Sequence, residues 1–210
     1  MTKIKLCGLR RACDMEYVNE LMPEYVGFVF ARGSKRYVSP EEAAVLRILL
    51  REEIVPGGVF VDECLEVVAD LVNHHVIDAV QLHGREDEDY IRELRRLTDC
   101  TIIQAFRIGS GRDVEAVNLS SADYVLLDSG GGSGETFNWT LVKEIKRPYF
   151  LAGGLTPANV GGAIAELHPC GVDASSSLET DGYKDREKLT AFVQAVRLEK
   201  KSPPGVRRML

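Results

Sequence analysis

The sequence has no CxxC pair, and its five cysteines (Cys7, Cys13, Cys64, Cys100 and Cys170) are odd in number and scattered. That argues against both a disulfide framework and a zinc site, and no metal is expected. A reducing cytoplasm is the expected compartment. No apolar run approaches the ~18 residues needed to cross a bilayer. Nor does a basic segment with an apolar stretch precede the first strand, so neither an anchor nor a leader is expected. Positive charge is also short: 26 Lys and Arg against 32 Asp and Glu give a net charge of -6. Nucleic acid and anionic membrane surfaces are therefore not expected as partners. No GxGxxG follows the first strand, which removes the signature of a dinucleotide fold.

What is present is alternation. Lys3 to Leu9 alternates polar and apolar residues at the period of a strand, then turns out at Gly8. Further short apolar runs recur at Tyr25–Phe30, Val59–Val61, Ala79–Leu82, Thr101–Phe106, Tyr124–Leu127, Tyr149–Ala152 and Val172–Ala174. Between and after them lie helical patterns: Cys13–Met22, Pro40 through Leu49, Leu65–Val76, Asp87–Leu97, Asp113–Leu119, Trp139–Ile145, Ala158–Leu167 and Glu187–Leu198. Ser39-Pro40-Glu41-Glu42 carries an N-cap serine, a proline in the first turn and acids at the positive end of the helix dipole. Strands separated by helices pair in parallel through right-handed crossovers. Eight such units predict an α/β fold of the (β/α)8 TIM-barrel class, a closed parallel eight-stranded sheet, with an open doubly wound sheet as the alternative. Residues 1–200 are expected to form this one catalytic domain, and 201–210 a flexible tail.

In such barrels the chemistry gathers at the C-terminal ends of the strands. Strand one delivers Cys7 there, either as a small buried hydrophobe or as a thiolate base. Strand six delivers Asp128 behind two leucines, where a desolvated carboxyl can act as a general acid or merely cap a loop. Arg36 follows strand two and can clamp a carboxylate through two parallel hydrogen bonds, or simply lie in solvent. Gly153 and Gly154 after strand seven let backbone amides approach an anion. Asp173, Ser175 and Ser176 end strand eight, where a short extra helix with serine hydroxyls would complete a phosphate site. With no dinucleotide loop or metal cluster, no cofactor is expected. An acid–base pair beside a phosphate site suggests proton transfer on a small phosphorylated molecule.

Several motifs together resemble one family. They are Lys5-Leu6-Cys7-Gly8, Gly27-Phe28-Val29-Phe30, Ser34-Lys35-Arg36-Tyr37-Val38-Ser39-Pro40, Gly58-Val59-Phe60-Val61 and Gln81-Leu82-His83-Gly84 in the first half. In the second half are Leu126-Leu127-Asp128, Gly131-Gly132-Ser133-Gly134 with Phe137 and Trp139, Leu151-Ala152-Gly153-Gly154-Leu155 and Asp173-Ala174-Ser175-Ser176. In order, from residue 3 to about 198, they resemble phosphoribosylanthranilate isomerase of tryptophan biosynthesis. The resemblance implies an Amadori rearrangement of phosphoribosylanthranilate to the carboxyphenylamino-deoxyribulose phosphate. It implies Asp128 as the acid that protonates the ring oxygen and Cys7 as the base that takes the C2 proton. Arg36 matches the arginine that holds the anthranilate carboxylate, and Gly154, Ser175 and Ser176 match the phosphate site.

Related sugar-phosphate isomerases of histidine biosynthesis resemble this fold but use an aspartate where Cys7 stands, and a barrel that only binds its ligand would have lost the acid, base or clamp. A monomer or homodimer is expected. Ser177 occupies a place where the family commonly has glycine, so backbone strain is expected there if that position needs positive φ. His83 matches a motif but is open between a structural and a catalytic role. No residue is an evident ionising partner for Cys7; Lys5 lies on the same strand face, deeper in the barrel.

Overall fold

The structure is a computed structural model that describes residues 1–128 and 139–198. The run Ser129 to Gly134, Phe137 and the tail 199–210 lie outside the described residues.

Eight strands close into a parallel barrel in sequence order: β1 (Lys3–Cys7), β2 (Tyr25–Val29), β3 (Val55–Phe60), β4 (Ala79–Leu82), β5 (Thr101–Arg107), β6 (Tyr124–Asp128), β7 (Tyr149–Ala152) and β8 (Gly171–Ala174), with β8 pairing back on β1. The helices are α1 (Ala12–Leu21), α2 (Pro40–Leu49), α3 (Leu65–Asn73), α4 (Glu88–Leu97), α5 (Gly111–Leu119), α6 (Trp139–Val142), α7 (Val160–Leu167) and α8 (Arg186–Leu198). The expected (β/α)8 barrel is the observed one.

The differences have local causes. β3 begins four residues before the expected Val59, because Pro56-Gly57-Gly58 carries no strand propensity of its own. Those residues enter the sheet by pairing with β2 and β4. α3 stops at Asn73, short of Val76, where His75 takes a left-handed φ of 56°. α2 starts as read, with Ser39 and Glu42 exchanging hydrogen bonds across the first turn. A two-stranded hairpin, β9 (Glu179–Thr180) with β10 (Tyr183–Lys184), stands between β8 and α8 and has no counterpart in the sequence reading.

The alternation in β1 sorts the strand between two cores. Ile4 and Leu6 face outward into the layer shared with Met15, Val18, Leu189 and Phe192 of the helices. Lys3, Lys5 and Cys7 face the barrel interior, so the polar half of the pattern is the buried inner face. Deeper in that interior, Phe150 is flanked edge-on by Tyr25 and Tyr124, with centroids 5.7 and 5.5 Å away. Lys3 donates to the Tyr124 hydroxyl at 2.7 Å. The barrel floor is thus plugged with aromatics, and its open end is the C-terminal one.

Candidate active site

A cavity of about 390 Å³ opens at the C-terminal ends of the strands. Every residue singled out from the sequence lines it: Cys7, Arg36, Asp128, Gly153, Gly154, Asp173, Ser175 and Ser176. The expected grouping is therefore brought together on one rim.

Cys7 ends β1 and is only 7% exposed. It is opposite Gly27 in the β1–β2 register. A Cβ on Gly27 would stand 2.7 Å from the Cys7 Sγ, so the neighbouring strand makes room for the thiol by carrying no side chain. Burial pushes the thiol above its ordinary range; the Lys5 ammonium pulls it down, Asp173 pushes it up, and Lys184 pulls it down. The net direction is upward.

Lys5 is therefore the ionising neighbour that sequence spacing did not identify. It is 1% exposed, and its Nζ donates to Asp173 Oδ1 at 2.8 Å. Burial favours its neutral form, but the Asp173 carboxylate and Cys7 outweigh that and hold it above the usual lysine range. Being deeper on the same face does not remove Lys5 from Cys7, because closure of β8 on β1 sets Asp173 directly across from Lys5. It also means that Asp173, expected on the ligand side, spends an oxygen on an interior ion pair.

Lys184 is the second cation, supplied by the unforeseen hairpin. Its side chain is 1% exposed, and Nζ donates to the Ser175 carbonyl at 3.0 Å and to Glu179 Oε1 at 2.6 Å. Burial holds it below the usual lysine range in spite of Glu179. Ser175 in turn donates its hydroxyl to the Cys7 carbonyl at 2.9 Å. No sequence signal near Cys7 could have pointed to Lys184.

Arg36 is engaged from within. Its Nε and Nη2 donate to the two oxygens of Glu179, at 2.6 and 2.8 Å. That leaves the Nη1 side for a ligand carboxylate. Gly8 has φ of +82°, and a Cβ there would stand 2.4 Å from the Arg36 Cδ. Glycine at this position therefore lets the arginine stem cross over the end of β1.

Where the phosphate is expected, Gly153 and Gly154 take φ of +86° and +64°, a backbone turn that glycine adopts without strain. The short extra helix expected after β8 is there as a single 3-10 turn, Ser176–Leu178. Ser177 lies within that turn and is not among the residues with positive φ, so the strain expected there does not arise. Its hydroxyl instead donates to the Leu155 carbonyl and ties the β8 loop to the β7 loop.

Asp128 ends β6, and its Oδ2 lies 3.5 Å from the His83 Nε2. His83 is thereby part of the cavity wall beside the expected acid. Among the described residues, no group of three or more His, Cys, Asp or Glu is placed to hold a metal ion. No helix among them is long and apolar enough to cross a membrane.

Comparison with known proteins gives a consistent result. A family model described as N-(5'phosphoribosyl)anthranilate (PRA) isomerase matches residues 4–195. A relative named N-(5'-phosphoribosyl)anthranilate isomerase from Thermoanaerobacter sp. (strain X514) is 44% identical over 204 residues, covering 94% of this chain and 98% of its own. One of the same name from Acetivibrio thermocellus is 42% identical over 211 residues, with 94% and 96% covered. Among solved structures, phosphoribosyl anthranilate isomerase from Thermotoga maritima superposes with a TM-score of 0.85 at 35% identity, covering 94% and 99% of the two chains. A second was solved in complex with reduced 1-(o-carboxyphenylamino)-1-deoxyribulose 5-phosphate; it gives 0.83 at 34% identity, with the same coverage. A third is described as mutually generated monomers of the dimeric Thermotoga maritima isomerase and also gives 0.83 at 34%, again with 94% and 99% covered.

Proposed function

The chain belongs to the N-(5'-phosphoribosyl)anthranilate isomerase family, and from that premise we propose that Cys7 and Asp128 are its general base and general acid. The enzyme is an isomerase of tryptophan biosynthesis, converting N-(5'-phosphoribosyl)anthranilate to 1-(2-carboxyphenylamino)-1-deoxyribulose 5-phosphate.

The chemistry divides between the two groups. Asp128 gives its proton to the ring oxygen as the C1–O bond breaks, and that electron pair leaves on oxygen as the new hydroxyl. The anilinic nitrogen supplies the electrons that make C1 a protonated imine. The Cys7 thiolate then takes the C2 proton, and the C–H pair becomes the C1–C2 double bond of an enolamine, which ketonises to product. A protonated imine makes the C2 proton more acidic, which lowers the demand on a buried thiolate. Lys5 and Lys184 favour that thiolate through their charge.

Arg36 holds the anthranilate carboxylate with the side of its guanidinium that Glu179 leaves open, and Gly153, Gly154, Ser175 and Ser176 receive the phosphate. Asp173 orients Lys5 beneath them. The observation that carries this reading is that base, acid, arginine and anion loops share one cavity. A monomer or a homodimer is the assembly that goes with this reading. The five free cysteines fit a cytoplasmic protein.

The test is steady-state kinetics following loss of substrate fluorescence. Cys7→Ala and Asp128→Asn are each expected to lower kcat by 10²-fold or more, on the order of a general acid's or base's contribution, with substrate still bound. Near-normal turnover in either variant removes that residue from its role.

A further inference from the structure

Arg10 is not part of the cavity lining, yet it touches both of the segments that hold Arg36. It sits half-buried in the loop between β1 and α1. Its guanidinium donates through Nη1 to the Lys35 carbonyl at 3.0 Å and through Nη2 to the Gly182 carbonyl at 2.7 Å. The rigid planar fork of an arginine can span two such acceptors at once. The Arg10 backbone N–H donates to Oδ2 of the buried Asp14 at 3.0 Å, so the side chain starts from a fixed point.

The first of those carbonyls governs where Arg36 begins. The Lys35 oxygen and the Arg36 N–H belong to one planar peptide unit. That N–H donates to the Ser34 Oγ at 3.1 Å. The peptide leading into Arg36 is thus held at its oxygen by Arg10 and at its nitrogen by Ser34, which sets the Arg36 Cα.

The second carbonyl governs where Arg36 ends. The Arg36 guanidinium is set by Glu179, which stands on β9. β9 and β10 pair over two residues each, too little to hold a hairpin together unaided. The turn between them, Asp181-Gly182, has φ of 53° and 79°, the pair of positive values that a type I′ turn requires. Arg10 holds the carbonyl at that turn. Arg11, its neighbour, donates from Nη2 to the Lys184 carbonyl at 2.6 Å. The guanidinium carbons of Arg10 and Arg11 stand 4.4 and 4.8 Å from the centroid of the Tyr183 ring. The loop after β1 therefore pins the hairpin at its tip and along β10.

We propose that Arg10 is a positioning residue for the carboxylate site: one guanidinium joins the loop that carries Arg36 to the hairpin that carries Glu179, and so fixes both ends of the Arg36 side chain. This rests on the reading of Arg36 as the receptor of the substrate carboxylate. Without Arg10 the two segments move independently, and the fork presented to the ligand loses its aim. The phosphate loops and Cys7 are left as they are.

The test compares two product-like inhibitors: reduced 1-(2-carboxyphenylamino)-1-deoxyribulose 5-phosphate, and the same compound without its carboxyl group. Arg10→Met is expected to weaken the first about fivefold and to leave the second within about twofold. KM for substrate is expected to rise like the first, with kcat within about twofold, as for lost uniform binding. Added to Arg36→Met, which removes the receptor, Arg10→Met is expected to cost nothing further. Equal losses for both inhibitors, an unchanged carboxylate preference in Arg10→Met, or a full additional loss in the double variant overturns the proposal. Binding of the carboxyl-free inhibitor shows in each variant that the site is folded. Arg36→Met alone tests the underlying reading. If it keeps the carboxylate preference, that reading has failed and the proposal falls with it. A loss of preference there, with none in Arg10→Met, removes only Arg10 from its role.

Discussion

Arg36 and Glu179 meet edge to edge, Nε to Oε1 at 2.6 Å and Nη2 to Oε2 at 2.8 Å, although 143 residues separate them. The arginine proposed to hold a substrate carboxylate is thus already held by a carboxylate of its own chain. Glu179 also accepts from Lys184 and so stands between two cations. Burial raises its proton affinity, but Arg36 and Lys184 outweigh that and keep it below the ordinary carboxylate range.

Glu179→Gln removes the charge from between Arg36 and Lys184 and lets them repel. Arg36 loses its fixed orientation, and KM is expected to rise about fivefold, the worth of ~1 kcal/mol. Arg36→Lys loses the fork itself and raises KM further. A lower KM in Glu179→Gln would mean that Glu179 competes with the substrate carboxylate and does not orient its receptor. Substrate titration of both variants decides the point.

The pH profile carries the signature of Lys184. Burial places the Cys7 thiol above its ordinary range, so the thiolate fraction, and with it kcat/KM, rises as pH increases through that value. The Lys184 ammonium pulls the thiol down. Lys184→Met therefore raises the thiol further, and the rising limb of kcat/KM against pH is expected to move to higher pH. An unshifted limb dissociates Lys184 from the base.

Gly27→Ala places a methyl group 2.7 Å from the Cys7 Sγ and 3.2 Å from the Cys7 Cα. Neither β1 nor β2 can move aside within a closed barrel. Overpacking of this kind costs about 1–3 kcal/mol, read as a lower midpoint in urea unfolding. Adding Cys7→Ala removes the sulfur and is expected to recover part of that loss. Wild-type stability in Gly27→Ala would show that the thiol has room the structure does not give it.

The barrel was legible because its signals are local. Period-two runs and capped helical patterns, such as Ser39-Pro40-Glu41-Glu42, report on a dozen residues at a time, and eight repeats leave few topologies. Cys7, Arg36, Asp128 and the two anion loops were legible because a residue at a strand's C-terminal end needs no partner to be noticed. The partners were not. Lys5 meets Asp173 across 168 residues, and it does so because β8 closes on β1 in a register that no short window contains. Lys184 and Glu179 arrive on a hairpin of two-residue strands too short to leave a pattern.

The sequence by itself thus determined which groups stand on the rim, since alternation and strand ends are properties of the chain. Only the tertiary structure decided their electrical state: which cation faces the thiol and which carboxylate restrains the arginine. Those depend on distance through a low-dielectric interior, and distance between strands is set by closure of the barrel.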